Sequence, residues 1–345
     1  MNSRELVKKT LEFENTSGIA PRDLWILPWA YNTYGEGVDA ILKDYPPDIV
    51  QVPNSHKIYT DPLKTVGDAY EIGEYQDEWG VMFRQAVRGI IGEVKAPIVS
   101  SSDENWDDIS RIHFPEELLT IDTDKINEFC ASTDKFVLSN DLVRPFERIQ
   151  FLRGTEYLYV DLALENANML KMLARIHDFN CRLMELWCSK TNIDGFWAMD
   201  DWGSQRSLLI NPETWVKYFK PLYRDYSNIA HKYGKKLFFH SDGFTLDIIP
   251  HLIDLGFDAV NLQIFCIGLE NIEQFKGKIT FWGEIDRQHL LPRGSLSDID
   301  AAVRSVRAAI WDNGGAIAQC EFGIDANIDN VRQVFKTWSD TTPNL

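Results

Sequence analysis

The sequence predicts an α/β protein built as a single (β/α)8 barrel of the TIM type over residues 1–345, with an extension at the barrel mouth that comes from the N-terminal half. Eight short apolar runs alternate with helix-like segments, and such alternation is typical of a parallel sheet. No GxGxxG motif opens the first helix, which argues against an open dinucleotide-binding sheet. A barrel needs about 250 residues, so a chain of 345 residues leaves enough length for an extension.

The eight apolar runs have the length of buried strands, and polar or turn-forming residues follow most of them. In chain order they are 23–30, 48–54, 136–141, 195–202, 236–243, 259–265, 279–286 and 316–323. Between two of them, Asn211 and Pro212 form the N-terminal signal of a helix with an apolar stripe. Pro221 should kink this helix and Gly234 should end it.

The surplus length lies mostly between residues 55 and 130. There the stretch EYQDEWGVMFRQAVRGIIGEV has the pattern of a hairpin, so we expect residues around 70–110 to form the extension at the barrel mouth. The first residues, MNSRELVKKTLEF, predict an amphipathic helix that lacks the apolar core of a secretion signal.

The bulk composition excludes several classes of partner. A formal net charge of −17 repels nucleic acid phosphates and anionic membrane surfaces. No apolar run approaches the roughly 20 residues of a membrane span. The five cysteines are scattered, odd in number and contain no CxxC pair, which is typical of reduced thiols. We therefore expect a cytoplasmic protein that acts on a small-molecule substrate, with no nucleic acid or membrane partner.

The barrel fold selects the candidate site residues, because active sites of such barrels lie at the carboxyl ends of the strands. Polar side chains at the ends of buried apolar strands also need a partner or a function. The residues selected in this way are Asp200, Asp201, His240, Asp242, Gln263, Glu284, Asp286, Cys320 and Glu321.

Three of these residues could form a zinc site. His240 and Asp242 lie two apart in the stretch LFFHSDGFT, so on a strand their side chains point to the same face. Together with Cys320 they offer imidazole, carboxylate and thiolate, all of which zinc accepts. Each also has a structural alternative: a hydrogen-bonded core histidine, an aspartate that completes a turn before glycine, and a cysteine packed as a small apolar residue.

The remaining acidic candidates could act on protons. Asp200 and Asp201 are adjacent, so only one of them can point into the barrel, where it could serve as a general acid or base. The other would make loop hydrogen bonds, and both could do only that. Glu284, in the stretch FWGEID, could be a metal ligand, a proton carrier or the partner of Arg287.

Other side chains could bind the substrate. Trp29, Tyr31 and Trp202 could wall an apolar pocket, although aromatic residues more often pack in the core. Arg144 could bind an anion or form a structural ion pair, and Gln263 could donate or accept a hydrogen bond at its strand end.

Several stretches resemble the uroporphyrinogen decarboxylase superfamily. They are MDDWGSQRSLLINPETWVKYFKPLY, GKKLFFHSDG, ITFWGEIDRQ and, from one of its branches, PRDLWILPWA. The resemblance covers nearly the whole chain and implies the barrel fold. It is less specific for the reaction, because the superfamily contains heme-pathway decarboxylases and corrinoid-linked zinc methyltransferases.

The resemblance to the methyltransferases implies a metal. In those enzymes a His-x-Cys pair and a distant cysteine hold zinc; His240 matches the histidine and Cys320 the distant cysteine, while Asp242 stands in place of the middle cysteine. A carboxylate can still bind zinc but is a harder ligand than thiolate. The resemblance therefore implies a zinc-dependent transfer of a methyl group between a corrinoid protein, or a small methylated compound, and an acceptor.

The decarboxylases of the superfamily hold their porphyrinogen with arginines in an RQAGR-like segment near the N-terminus. The corresponding stretch here, LPWAYNTYGEG, contains no arginine, so the heme-pathway substrate is not expected. The alternative to methyl transfer is a metal-free decarboxylase or lyase for a small substrate, in which His240 and an acidic residue act as an acid–base pair. A non-catalytic binding protein is a third alternative.

Overall fold

The computed structural model describes residues 1–99 and 112–342. Strands in these residues form one parallel sheet of eight and one antiparallel sheet of three. In chain order they are β1 (Arg22–Ile26), β2 (Ile49–Gln51), β3 (Gly73–Gln76), β4 (Met82–Gln85), β5 (Glu93–Ala96), β6 (Phe136–Leu138), β7 (Gly195–Met199), β8 (Lys236–Ser241), β9 (Ala259–Leu262), β10 (Thr280–Trp282) and β11 (Ala316–Phe322).

The eight-stranded sheet confirms the predicted barrel. Its order is β1-β11-β10-β9-β8-β7-β6-β2; seven of its strands fall within predicted apolar runs, and β1 begins one residue before the run 23–30. The two edge strands meet where Asp48 precedes β2: its N–H donates to the Arg22 carbonyl at 2.7 Å, and its side chain accepts from the Arg22 N–H at 2.7 Å. These bonds bring the edges together, so the carboxyl ends of all eight strands face one mouth.

Helices surround the barrel and cover its amino end. In the described residues they are α1 (Ser3–Leu11), α2 (Pro28–Tyr34), α3 (Glu36–Asp44), α4 (Thr123–Ser132), α5 (Pro145–Arg153), α6 (Thr155–Ala163), α7 (Ala167–Lys190), α8 (Pro212–Tyr218), α9 (Lys220–Lys232), α10 (Ile249–Asp254), α11 (Ile264–Ile267), α12 (Leu269–Ile272), α13 (Leu290–Arg293), α14 (Leu296–Ile310) and α15 (Ile328–Asp340), with 3-10 turns at Glu116–Thr120, Leu246–Ile248 and Glu273–Phe275.

The structure bears on two predictions, the one about membrane-spanning segments and the one about disulfide bonds. Across residues 1–99 and 112–342, none of the helices combines the length and the apolar character that a membrane crossing requires. All five cysteines are free thiols, as their scattered, odd-numbered distribution predicted.

The helix predicted after residue 211 is two helices rather than one kinked helix. Helix α8 ends at Tyr218 and α9 starts at Lys220, which places Pro221 in the first turn of α9. A proline is tolerated there because the first helical N–H groups have no partner inside the helix. Gly234 follows the end of α9 with a φ of +65°, as expected for a terminating glycine.

The three-stranded sheet is the predicted extension at the barrel mouth. Strands β3, β4 and β5 pair antiparallel, which confirms the hairpin pattern, while residues 100–111 of that segment lie outside the described residues. The loop between β4 and β5 contacts α2 directly, since the Trp29 N–H donates to the Gly89 carbonyl at 3.2 Å. A Cβ at Gly89 would lie 2.4 Å from the Trp29 nitrogen, so this contact requires glycine.

Apolar side chains fill the lower barrel and α1 closes it. Alternate residues of the strands point inward and form one buried cluster, against which Val7 and Leu11 of α1 pack. The strand residues of this cluster are Ile49, Phe136, Leu138, Trp197, Phe238, Ala259, Trp282 and Ile317. This packed interior restricts solvent to the mouth, where the strands end.

A buried carboxyl group lies among the indoles of this interior. Asp23 Oδ2 accepts hydrogen bonds from Trp25 Nε1 at 3.0 Å and Trp282 Nε1 at 2.8 Å. Burial raises the pKa of Asp23 from 3.8 to about 7, because the ionised form loses its hydration and the two indole bonds only partly compensate.

This raised pKa predicts a pH-dependent stability. Between about pH 4 and pH 7 folded Asp23 retains a proton that the unfolded chain has lost, so its contribution to the free energy of unfolding decreases as the pH rises and is gone above pH 7. The Asp23→Asn variant can keep both indole bonds through one oxygen but cannot titrate. Urea unfolding from pH 4 to 8 should show wild type losing about 4 kcal/mol more than the variant. Equal pH slopes would contradict the assignment.

Candidate functional site

The loops after β7 and β8 lie in backbone contact, and this contact builds the site. The Gly203 N–H donates to the Asp242 carbonyl at 3.0 Å, and the Asp200 N–H donates to the His240 carbonyl at 3.1 Å. Gly243 has a φ of +77°, and a Cβ on it would lie 2.2 Å from the Gly203 oxygen. Neither loop could approach the other so closely with a side chain at this point.

Three polar side chains converge above this contact. Their ligand atoms, one each from Asp201, His240 and Asp242, all lie within 4.8 Å of one another. His240 Nε2 is 3.6 Å from Asp201 Oδ1 and 3.7 Å from Asp242 Oδ1. The Asp242 N–H also donates to Asp201 Oδ1 at 2.9 Å, which holds the two loops in register. We call these three residues the mouth triad.

A buried hydrogen bond sets the tautomer of His240. Its Nδ1 lies 2.6 Å from Asn261 Oδ1, while Asn261 Nδ2 donates to the Trp282 carbonyl and to Gln319 Oε1. Because the amide nitrogen is already committed to two acceptors, Asn261 Oδ1 accepts and His240 Nδ1 carries the proton. In the neutral imidazole, Nε2 therefore presents its lone pair to the two carboxylates.

The triad fits a metal ion better than it fits internal hydrogen bonds. The distances of 3.6 and 3.7 Å from His240 Nε2 are too long for hydrogen bonds, whereas two ligands about 2.1 Å from one zinc ion lie about 3.4 Å apart. Asp242 Oδ1 is buried and has no hydrogen-bond partner among the residues described. Three lone-pair atoms that converge in this way, one of them without a partner, form a set that a divalent cation would satisfy.

The structure does not bring Cys320 into this set, which corrects the sequence-based expectation. Within residues 1–99 and 112–342, the metal-ligand group that includes His240 and Asp242 has Asp201 as its third member. On β11, Gln319 points inward to Asn261, so Cys320 points the other way and packs in the core between strands and helices, as does its β1 neighbour Leu24. Burial and the nearby carboxylates Glu284, Glu321 and Asp23 raise the pKa of the thiol, which disfavours a thiolate.

Strand alternation likewise separates the two adjacent aspartates. Asp201 points into the mouth, whereas Asp200 is fully buried and accepts from the N–H groups of Phe146 and Glu147 at the start of α5. Burial raises the pKa of Asp200, and the Tyr223 hydroxyl donates to the same carboxylate. Asp200 is therefore placed as a helix cap and not in the mouth triad.

Two aromatic candidates lie away from the triad. Trp202 is fully buried, stacks on Phe146 with ring centroids 4.0 Å apart, and donates to the Tyr223 hydroxyl. Tyr31 is 42 % exposed on α2, where its hydroxyl contacts Asp39. The expectation that these side chains wall a pocket is corrected, because Trp202 faces the helix layer and Tyr31 faces outward.

Arg287 compensates the negative charge beside the triad. Its guanidinium bonds to Asp242 Oδ2 and, at 2.8 Å, to Glu321 Oε2. Although burial acts against it, the pKa of Arg287 is raised by Glu284, Asp242 and Glu321. The bond to Oδ2 leaves Asp242 Oδ1 as the atom that faces His240.

Glu284 is buried among other charged side chains. Burial raises the pKa of Glu284 well above its ordinary value, and the nearby carboxylates Asp242 and Glu321 add to the effect while Arg287 opposes it. This environment disfavours the ionised carboxylate and favours the protonated form, which can donate a hydrogen bond.

Two cavities open beside the triad. The larger one has a volume of about 840 Å³, lies between the strand ends and the extension sheet, and is lined by Asp201 and Arg144 among others. The smaller one has a volume of about 230 Å³ and is lined by Glu284, Arg287 and Gln263 among others. We call them the extension cavity and the small cavity. Arg144 and Gln263 thus line cavities, as substrate-binding residues would.

Three further residues contribute to this region: Trp29, Asn261 and Glu147. The last two were not among the site residues predicted from the sequence. Trp29 holds the extension loop through Gly89 and lies outside the described linings of both cavities. Asn261 orients His240, and its position two before Gln263 on an apolar strand was a signal for an inward polar residue. Glu147 lines the extension cavity, and nothing in its local sequence distinguishes it from a surface residue of a helical first turn.

The sequence matches a known family. Residues 93–340 match the model of the family described as uroporphyrinogen decarboxylase (URO-D). No curated protein matches the chain.

A solved structure supports the same fold. A methyltransferase from Methanosarcina mazei aligns with a TM-score of 0.69 at 12 % identity, covering 99 % of this chain and 99 % of that one. A xylanase from Paenibacillus barcinonensis aligns with a TM-score of 0.39 at 11 % identity over 91 % and 86 % of the two chains. At 12 % identity the first alignment demonstrates a common fold and does not extend to the reaction, and the second is too distant to support an argument.

The geometry predicts which substitutions abolish metal binding. Protein dialysed against zinc under reducing conditions should bind about one ion per chain. Asp201→Asn, His240→Ala and Asp242→Asn should each weaken binding about 100-fold or more, because His240→Ala removes a ligand atom and each Asn replaces an anionic carboxylate ligand by a weaker neutral amide. Cys320→Ser is the matched control and should bind zinc as wild type does, since Cys320 faces the helices. Atomic absorption after dialysis measures this.

The opposite pattern would contradict the assignment. Loss of zinc in Cys320→Ser with retention in Asp201→Asn would return Cys320 to the ligand set, and absence of zinc uptake by wild type would exclude the site.

Proposed function

The chain belongs to the uroporphyrinogen decarboxylase family, and from this premise we propose that it is a zinc-dependent methyltransferase of the corrinoid-linked type. It would move a methyl group between a corrinoid on a partner protein, or a small methylated compound, and an acceptor. The observation that carries the proposal is the mouth triad, in which three ligand atoms converge and Asp242 Oδ1 has no hydrogen-bond partner in the described chain.

The residues of the triad would hold the metal through one nitrogen and two oxygens. His240 Nε2 is available because Nδ1 is bound to Asn261, and Asp242 Oδ1 is available because Arg287 engages Oδ2. When bound, zinc would act as a Lewis acid that orients the acceptor and stabilises its deprotonated form. Two carboxylates in place of two thiolates make this set harder than that of the methyltransferases it resembles, which also suits oxygen or nitrogen acceptors.

Side chains of the small cavity would handle the acceptor. Because burial raises the pKa of Glu284, its protonated form is favoured and would donate a hydrogen bond or a proton to a group placed in this cavity. Gln263 lines the same cavity and can fix the orientation of a polar group by its amide. Arg287 keeps Asp242 directed at His240 and is a positioning residue.

A metal-free decarboxylase or lyase for a small substrate is the second candidate, and the buried position and raised pKa of Glu284 are the observation in its favour. A decarboxylase also needs a cation for the substrate carboxylate. Arg287 already bonds to two carboxylates, and each cation described in the extension cavity faces one: Lys57 at 2.9 Å, Arg148 at 2.6 Å and Arg144 at 3.9 Å. The charge pattern therefore favours methyl transfer and disfavours a porphyrinogen with many carboxylates.

Methyl-transfer assays test the proposal directly. Zinc-loaded protein should demethylate methylcobalamin with at least one acceptor from a set of thiols, amines and alcohols, followed by the change in cobalamin absorbance. Chelation or Asp242→Asn should reduce the rate about 100-fold or more, and zinc should restore only the chelated wild type. Glu128→Gln, on an exposed face of α4, is a matched control that removes a carboxylate away from the site. Zinc-independent release of CO2 from small carboxylic acids, without methyl transfer, would instead establish the second candidate.

A further inference from the structure

The extension cavity contains more negative than positive side chains. Among its described lining residues, six are acidic and three are basic. The acidic ones are Asp77, Glu78, Glu93, Asp141, Glu147 and Asp201. Two of the bases are in close ion pairs, Lys57 with Asp141 at 2.9 Å and Arg148 with Asp77 at 2.6 Å. A cavity of this charge attracts cations and repels anions.

One of these acids has an oxygen without a hydrogen-bond partner. Glu147 is 7 % exposed, and within the described chain its Oε2 has no hydrogen-bond partner. The nearest cationic group is Arg144 Nη1 at 3.9 Å, which is beyond hydrogen-bond distance. A buried carboxyl oxygen left in this state at a cavity wall indicates that the remaining bond is made to a ligand.

The aromatic part of the wall already packs against a cation. Trp79 and Phe151 line the cavity, and the Arg148 guanidinium lies 4.8 Å from the Trp79 ring centroid and 5.7 Å from that of Phe151. Tyr75 and Phe83 add further ring surface. Rings together with carboxylates form the usual surroundings of an ammonium group, because both interact favourably with positive charge and the rings tolerate its methyl groups.

We propose that the extension cavity is a binding site for a small organic cation, a quaternary or protonated ammonium, whose charge lies against the Glu147 carboxylate. A volume of about 840 Å³ accommodates such a molecule with room for further substituents. The inference goes beyond the proposed function, because the cation can bind whether or not zinc is present and whether or not methyl transfer follows.

The surroundings of Glu147 predict a second measurable effect of cation binding, the release of a proton. Burial raises the pKa of Glu147, Arg144 and Arg148 oppose this, and Asp201 and Asp200 add to it. Without a ligand the carboxyl group is therefore largely protonated at neutral pH. A cation that replaces this proton should release it to the solvent.

Calorimetric titration with choline and with its uncharged carbon analogue, 3,3-dimethyl-1-butanol, tests the inference on the full chain at fixed ionic strength. The two probes have nearly the same shape and differ in charge. Choline should bind at least about tenfold more tightly than the analogue. Repeating the titration at pH 7 in buffers of different ionisation enthalpy should show proton release on choline binding only.

Variants locate the charge recognition. Glu147→Gln should weaken choline binding about tenfold, abolish proton release and leave binding of the analogue unchanged. Glu128→Gln makes the same change of charge on an exposed face of α4, outside the described cavity lining, and should leave choline binding unaltered. Circular dichroism and thermal unfolding confirm that both variants are folded.

Three outcomes would overturn the inference: equal affinity for choline and the analogue, no choline binding by wild type up to about 10 mM, or choline binding that Glu147→Gln does not weaken. The first two depend only on wild type, so a folding defect in the variant cannot obscure them. Because zinc-free protein can be titrated, these outcomes are also distinct from failure of the proposed methyl transfer.

Discussion

The backbone contact between Gly203 and Gly243 is the constraint on which the mouth of this barrel depends. It lets the loops after β7 and β8 approach until one accepts hydrogen bonds from the other, and this places Asp201 and Asp242 side by side near His240 Nε2. A side chain at either glycine would separate the loops. The carboxylates would then lose their common neighbour, and the site would be two unrelated loop residues and a buried histidine.

The imidazole itself is held from two directions. Trp25 packs against it with ring centroids 5.1 Å apart, and Asn261 binds its Nδ1. Both contacts come from inside the barrel, where indole rings and a hydrogen-bonded amide leave the histidine little freedom to rotate. Preorganisation of this kind favours binding of an ion, because the ligand atoms need not be ordered when the ion arrives.

The charge distribution of this mouth does not suit a polyanionic substrate. Carboxylates outnumber cations, and Lys57, Arg148 and Arg287 bind carboxylates of the protein itself. Arg287 stabilises the negative charge around the triad, and its guanidinium is bound to carboxylates of the protein and not to a substrate. The family therefore sets the barrel and the position of the mouth, while the side chains of this chain set the charge and the ligand atoms that the mouth presents.

The sequence by itself determined the barrel and part of its site. Alternating apolar runs and helices specify a parallel barrel because each strand must bury both faces, and the extension followed from surplus length with hairpin pattern. The spacing of His240 and Asp242 placed both at one face because side chains on a strand alternate with a period of two. Local pattern could go no further, because it does not reveal which face of a strand points inward.

Only the tertiary structure decided the third member of the triad. The sequence did not distinguish Asp201 from its neighbour Asp200. The pairing of β7 with β8 is what directs Asp201 toward the mouth. Cys320 was expected beside His240, but the inward bond of Gln319 turns it to the helices. A shift of one residue reverses every side chain on a strand, and the partners that set the register, such as Asn261, are distant in sequence. The same holds for Glu147, whose role beside the cavity depends on α5 lying under the extension sheet.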